Sequence, residues 1–299
     1  MNNAIMPGVP SAQCLPNVAP EREFGYTTND FERIRRLVYR QAGIALNDSK
    51  QNMAYNRLVP RLRALGLRNF GDYLDRLERN DAAECEAFIN ALTTNLTAFF
   101  REAHHFPILA RHLANADARA GITLWCAAAA TGEEAYTMAI IACETFRTLK
   151  PPVRIVASDI DTRVLTVAQR GVYPLERVQH LSAGRLKQFF EKGSGAHAGF
   201  ARVRSELREL VTFRPINLLH ATWPVPKTLT AIFCRNIMIY FDRATQLSIL
   251  TRFAPLLQPD GLLFVGHSES LGHAGHLFRL LQHTVYELAP FAVQRGAAS

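Results

Sequence analysis

The sequence predicts an α/β protein in two unlike parts: an all-α N-terminal domain followed by an open, largely parallel sheet. Up to about residue 92, apolar residues recur only at helical spacing. From about residue 120, short apolar runs alternate with helical stretches. Those runs end in small, polar or charged residues, as strands do where a parallel sheet opens onto a binding crevice. At 299 residues, 48% hydrophobic and 20% charged, the chain can bury a sizeable core.

Residues 1–20, "MNNAIMPGVPSAQCLPNVAP", predict a disordered tail, with no basic segment leading an apolar one as a secretory signal requires. The helical domain is expected over 21–92. In "FERIRRLVYRQAGI", Phe31, Ile34, Leu37 and Val38 share a face, with Arg33, Arg36 and Arg40 elsewhere. In "SKQNMAYNRLVPRLRALGLR", Lys50, Arg57, Arg61 and Arg68 fall in one narrow stripe, and Leu58, Leu62 and Leu65 in another. Pro60 removes a helical hydrogen bond there and is expected to bend that stripe. "DYLDRLERN" and "CEAFINALTTNL" repeat the pattern through Tyr73, Leu74, Leu77, Phe88 and Leu92.

A linker and helix are expected over 93–118, the sheet domain over 119–288 and a tail over 289–299. "GITLWCAAAA", "VRIVASDID", "AIFCRN" and "GLLFVGHSES" supply its strands. Glu191 to Phe213 breaks the alternation. Gly193, Gly195 and Gly199 permit turns, and "ARVR" and "ELVTF" predict a small antiparallel β subdomain inserted over 191–213.

The five cysteines are odd in number and lack C-x-x-C spacing, so reduced cytoplasmic thiols are expected, with no disulfide framework and no metal site. A formal charge of +8 invites an acidic partner: nucleic acid, anionic lipid or an acidic protein surface. No apolar run approaches the roughly 18 to 20 residues of a membrane span.

The apolar stretch "AIFCRNIMIYF" places Arg235 and Asn236 at a strand's carboxyl end, where polar side chains need partners. Asp159 and Asp161 stand at the end of another strand. "AAAATGEEAYTMAI" opens a helix with Gly132, Glu133 and Glu134. Both carboxylates suit a helix N-terminus; Glu133 reads as capping, and Glu134 as capping or ligand-binding. A dinucleotide site would show G-x-G-x-x-G for close approach to a pyrophosphate. One glycine followed by two carboxylates repels phosphate but accepts a nucleoside cofactor bearing positive charge. S-adenosylmethionine fits, with Asp159 placed for the ribose hydroxyls. The sheet domain is accordingly expected to be a Rossmann-like, S-adenosylmethionine-dependent methyltransferase domain.

"TTNLTAFFREAHHFPIL", "ATGEEAYTMAI", "ASDIDTRVLTVAQRGVY", "INLL" and "AIFCRNIMIYFD" together resemble the chemotaxis receptor glutamate O-methyltransferases, the CheR family. The resemblance spans about residues 21–288; Ala135 stands where the family commonly has Pro. It implies cofactor contacts from Asn95, Thr97, Arg101, Glu134 (methionine amino group), Asp159, Asn217 and Leu218 (adenine), and Arg235 and Asn236 near the methionyl end. Arg101 and Tyr240 would stand beside the transferred methyl, and S-adenosylhomocysteine would be the product. The alternative for Arg235 is a structural ion pair with Asp242 or Asp161. Implied partners are the cytoplasmic domains of chemoreceptors: their acidic methylation helices, met by Lys50, Arg57 and Arg61, and a C-terminal pentapeptide met by the β subdomain, where Arg202 and Arg204 could pair with acidic groups. A cytoplasmic monomer without nucleic-acid partner or membrane insertion is expected.

No Ser-His-Asp or metal constellation appears, and this chemistry needs none. A glutamate side chain, with pKa about 4.3, is already a carboxylate nucleophile at neutral pH. His104 and His105 are not assigned to catalysis, and Cys126 and Cys234 are expected in the core.

Overall fold

The computed structural model describes residues 22–119 and 121–290. The expected tail 1–20 and residues 291–299 of the second lie outside the described residues.

The helical part contains α1 (Thr28–Ala42), α2 (Gln51–Ala64), α3 (Phe70–Glu78) and α4 (Ala82–Leu92). Thr27 and Asp30 close a reciprocal capping box at the start of α1, and Gly43, with φ 71°, ends it. Phe31, Ile34, Leu37 and Val38 pack with Leu58, Leu62, Phe70, Tyr73, Leu77 and Phe88 in one core. Pro60 sits on an exposed face of α2, and the helix continues past it to Ala64.

The expected stripe of free cations on α2 is corrected. Arg61 donates to both oxygens of buried Glu84, at 3.0 and 2.6 Å, and Tyr73 Oη donates to the same carboxylate at 2.9 Å. Arg57 donates to the carbonyls of Leu92 (2.9 Å) and Thr93 (2.6 Å) and to Thr94 Oγ1 (3.0 Å). The buried carboxylate and the open carbonyls at the end of α4 demand donors, and α2 supplies them. Lys50 lies in a short 3-10 turn before α2 and Arg68 beyond its end, both exposed.

The second part runs through α5 (His105–Asn115), β1 (Ile122–Cys126), α6 (Glu133–Phe146), β2 (Val153–Asp159), α7 (Thr162–Arg170), β3 (Val172–Pro174), α8 (Ala183–Phe189), β4 (Phe190–Lys192) and β5 (Phe200–Val203). It continues through α9 (Ser205–Glu209), β6 (Val211–Pro215), β7 (Leu229–Phe233), α10 (Arg243–Phe253), β8 (Leu257–Phe264), β9 (Phe278–Gln282) and β10 (Val285–Leu288). Seven strands form one sheet in the order β6-β2-β1-β7-β8-β10-β9. β6, β2, β1, β7 and β8 run parallel, and β10 pairs antiparallel with both β8 and β9. Side chains alternate between two cores: Ile122, Leu124 and Cys126 face one, Trp125 and Ala127 the other. From β1 the chain builds outward through β2 to β6, then returns to β7 on the other side. The switch point therefore lies between β1 and β7, where such sheets open a crevice.

The small sheet differs from expectation. Its order is β3-β5-β4, all antiparallel, so one strand comes from residues 172–174. "ELVTF" instead enters β6, the parallel edge strand beside β2. Val211, buried in the main core, is what the short antiparallel reading overlooked.

Glu84→Ala should leave the Tyr73 hydroxyl buried without an acceptor and Arg61 unpaired, destabilising the fold by about 2 to 3 kcal/mol. Urea unfolding measures this; an unchanged midpoint would show that the Arg61–Glu84 contact contributes nothing.

Candidate cofactor site

A cleft of about 910 Å³ of atom-free space, open solvent included, lies over the carboxyl ends of β1, β2 and β7. Both parts of the chain line it: Ala42, Ile44 and Leu92 from the helical part, Ala127, Ala130, Glu134, Asp159 and Arg235 from the sheet.

After β1 the chain turns through Ala127–Ala130, where small side chains keep the backbone accessible. Ala130 and Gly132 have φ of 46° and 96°. A Cβ on Gly132 would lie 2.8 Å from Ala168 Cβ and 3.0 Å from Tyr173 Oη, so only glycine fits there. Glu133 is fully buried in the first turn of α6, and its carboxylate is used in place of a cap: it pairs with Arg177 Nη1 at 2.6 Å and accepts from Thr131 Oγ1 at 2.6 Å. Glu134, the next residue, reaches the cleft.

Asp159 ends β2 only 9% exposed. It accepts from the backbone N–H of Ala130 at 2.8 Å and of Asp161 at 3.0 Å. Burial outweighs those bonds and pushes its pKa up to about 6. Asp161 is fully buried and accepts from Asn95 Nδ2 at 2.9 Å, Thr93 Oγ1 at 2.9 Å and Arg163 Nη2 at 3.1 Å. Asn95 is thereby fixed with its neighbour Thr97 on the cleft wall.

Arg235, 4% exposed, follows β7. Its Nη1 donates to Glu134 Oε2 at 2.6 Å, and its Nη2 to the Arg101 carbonyl at 2.6 Å, with Glu102 Oε2 at 3.1 Å. The alternatives with Asp242 or Asp161 are overturned: Asp161 serves Arg163, and Asp242 caps α10 and accepts from Tyr39 Oη at 2.5 Å. Arg235 Nε is buried without a partner among the described residues. Asn236, at φ 58°, donates through Nδ2 to Glu102 Oε1 at 3.1 Å and through its backbone N–H to Glu269 at 2.9 Å.

Tyr240 and Leu218 line the cleft, as does Arg101, whose Nη1 donates to the Leu96 carbonyl at 2.6 Å. Asn217 also lines it, but its amide is spent on the Gln41 carbonyl (2.6 Å) and the Leu219 N–H (2.9 Å), so only its backbone and flank remain for a ligand.

Other expected residues lie elsewhere. Lys50 and Arg57 are outside the cleft lining, as is Arg61. Arg202 is exposed on β5, the central strand of the small sheet. Arg204 has left that strand: it precedes α9 and donates to the Lys187 carbonyl at 3.4 Å. His105 is buried, its ring bonded to Thr284 Oγ1 at 3.0 Å and its pKa pulled down to about 3 by burial. Cys126 and Cys234 are buried thiols whose pKa burial pushes up.

Glu102 and Glu269 were not anticipated, although both carry the geometry of Arg235 and Asn236. Glu102 directly follows the quoted "FFR", and Glu269 lies in "GHSES"; each is one acidic residue in a polar loop, with no periodicity to single it out. One ligand atom each of Glu102, His104 and His105 lie within 4.8 Å of one another, but both Glu102 oxygens already have donors.

The sheet order and a switch-point cleft bearing carboxylates but no glycine cradle define an S-adenosylmethionine-dependent methyltransferase. The residues present fit that cofactor: the carboxylates Glu134 and Asp159 suit its cationic groups and ribose hydroxyls, and the guanidiniums of Arg101 and Arg235 suit its one carboxylate. Residues 95–287 match the family described as CheR methyltransferase, SAM binding domain, and residues 29–93 match CheR methyltransferase, all-alpha domain. The chain is 52% identical over 270 residues to chemotaxis protein methyltransferase 2 of Pseudomonas aeruginosa, covering 90% of this chain and 96% of that protein. It is 53% identical over 261 residues to the chemotaxis protein methyltransferase of Escherichia coli, covering 87% and 90%. The chain belongs to the CheR methyltransferase family.

Proposed function

We propose that this methyltransferase esterifies glutamate side chains in the cytoplasmic domains of chemoreceptors, using S-adenosylmethionine and releasing S-adenosylhomocysteine. The observation that carries the reading is a cleft walled by Glu134, Arg235, Arg101 and Tyr240, groups that can bind and orient a charged donor and a carboxylate acceptor. Glu134 holds the methionine ammonium, and the Arg235 guanidinium lies beside the methionine carboxylate. Asp159 accepts from the ribose hydroxyls. Ile160, Ile216 and Leu218, with the flank of Asn217, bound an apolar slot for adenine. Asn95 and Thr97 close the wall opposite, with Asn236 beside the methionyl end.

When bound, the cofactor supplies an electrophilic methyl group on a sulfonium. The acceptor carboxylate is ionised at neutral pH, so the protein's task is to aim it and exclude water. Arg101 and the Tyr240 hydroxyl orient it without a proton transfer.

The exposed cations Lys50, Arg68 and Arg202 would face an acidic receptor bundle. Arg57 and Arg61 support that face from beneath, holding α4 and the segment after it. The small sheet leaves β3 and β4 as open edges, where an extended receptor C-terminal peptide could add as a strand. Among the described residues no helix is long and apolar enough to cross a membrane; we assign the chain to the cytoplasm, as a monomer.

Incubation with labelled methyl donor and receptor-bearing membranes tests the reading. Label should appear in receptor and be lost as methanol in mild alkali, as carboxyl esters are. Alkali-stable label, label in RNA, or none would overturn it.

A pH titration tests the ribose contact. Asp159 in the free protein has a pKa raised to about 6, and hydrogen bonds from a bound ribose favour its carboxylate form. Affinity for S-adenosylhomocysteine should be full above about pH 6 and decline as pH falls through that value, with proton uptake on the free protein. Asp159→Asn should bind more weakly and flatten the profile in that window. An identical pH profile in Asp159→Asn, measured by calorimetry, would remove Asp159 from the contact.

A further inference from the structure

We propose that Glu102 sets how the cleft discriminates the cationic methyl donor from its neutral product, by adding a buried negative charge beside Arg235 that offsets the cations Arg235 and Arg101. The inference rests on the placement of the methionyl end at Glu134 and Arg235.

Arg235 and Glu134 alone would form a neutral pair, joined at 2.6 Å. Glu102 adds a second carboxylate to the same guanidinium at 3.1 Å, so two anions flank one cation. It is 9% exposed as a side chain, and Arg235 is 1% exposed, so solvent and salt screen this group little. Its carboxylate is held by the backbone N–H of His267 at 3.1 Å, the His267 ring Nδ1 at 3.0 Å and Asn236 Nδ2 at 3.1 Å. Burial opposes ionisation, but the His267 bond, the Arg235 charge and the Asn236 bond outweigh it and bring the pKa down to about 2. The charge is therefore present throughout the neutral range.

The backbone supports a placed role. Glu102 and Asn236 both adopt left-handed conformations, at φ 54° and 58°, which non-glycine residues hold only where the surroundings impose them. Glu102 is outside the cleft lining, so it acts through Arg235 and through the field it creates, as a positioning residue.

S-adenosylmethionine and S-adenosylhomocysteine differ by one methyl group and one positive charge at sulfur. A carboxylate added to the wall attracts the sulfonium and leaves the thioether almost unaffected. Glu102 thus narrows whatever advantage the product has and eases its exchange for fresh donor.

Glu102→Gln preserves the shape and removes the charge. Calorimetry on the full chain would compare S-adenosylmethionine, S-adenosylhomocysteine and sinefungin, an unreactive analogue with an ammonium in place of the sulfonium. The Kd of both cationic ligands should rise by about three- to tenfold more than that of the thioether. Glu102→Asp keeps the charge on a shorter arm and is the control, expected to leave the ratio of the three affinities near that of the parent; Glu102→Ser, which also removes the charge, should shift the ratio as Glu102→Gln does and serves if Glu102→Gln does not fold. Equal weakening of all three ligands by Glu102→Gln would reduce Glu102 to a scaffold and overturn the proposal. A ratio unchanged with affinities intact would do so too. If the parent chain binds none of the three, the placement of the cofactor fails instead.

Discussion

The buried guanidinium of Arg235 is the interaction on which the cleft depends. A charge this deep is costly unless every side of it is answered. Here Glu134 answers from the start of α6, Glu102 and the Arg101 carbonyl from the segment before α5. Glu102 then binds His267, in the loop after β8. One side chain at the end of β7 thus ties together the segments that wall the methionyl end. Its Nε is buried without a partner among the described residues.

A second set of contacts joins the helical part to the cleft. Gln41 holds Asn217, the Tyr240 carbonyl accepts from the Ala45 N–H at 2.8 Å, and Tyr39 bonds Asp242. Arg57 fixes the chain from Leu92 to Thr94, which leads directly into Asn95 and Thr97. The helical part is therefore a wall of the cleft. It is held at the cleft by hydrogen bonds that reach across 176 and 203 positions of sequence.

Much of this architecture was legible in the residues. Period-2 and helical patterning are local consequences of burial, so the strands ending in Cys126, Asp159 and Phe233 and the helices around Leu37, Leu62 and Leu77 could be read directly. The polar residues at those strand ends signalled the crevice because burial makes them expensive without a ligand or partner. What could not be read were pairings between distant segments. Nothing local marks Glu84 as the partner of Arg61, so a basic stripe looked free when two of its arginines turn inward. "ELVTF" has the composition of any short strand, and only β2 beside it makes it an edge of the large sheet. Glu102 went unnoticed for the same reason: its importance lies in four donors drawn from three residues far along the chain.

In the proposed function the methionyl end of the cofactor lies against Arg235 and Glu134 at the switch point between β1 and β7. A crystal structure of the chain with S-adenosylhomocysteine tests it most directly. Density is expected over the carboxyl ends of those strands, with the amino group on Glu134, the methionine carboxylate beside the Arg235 guanidinium and the ribose on Asp159. Ligand density at any other crevice, or a reversed ligand with adenine against Arg235, would contradict it.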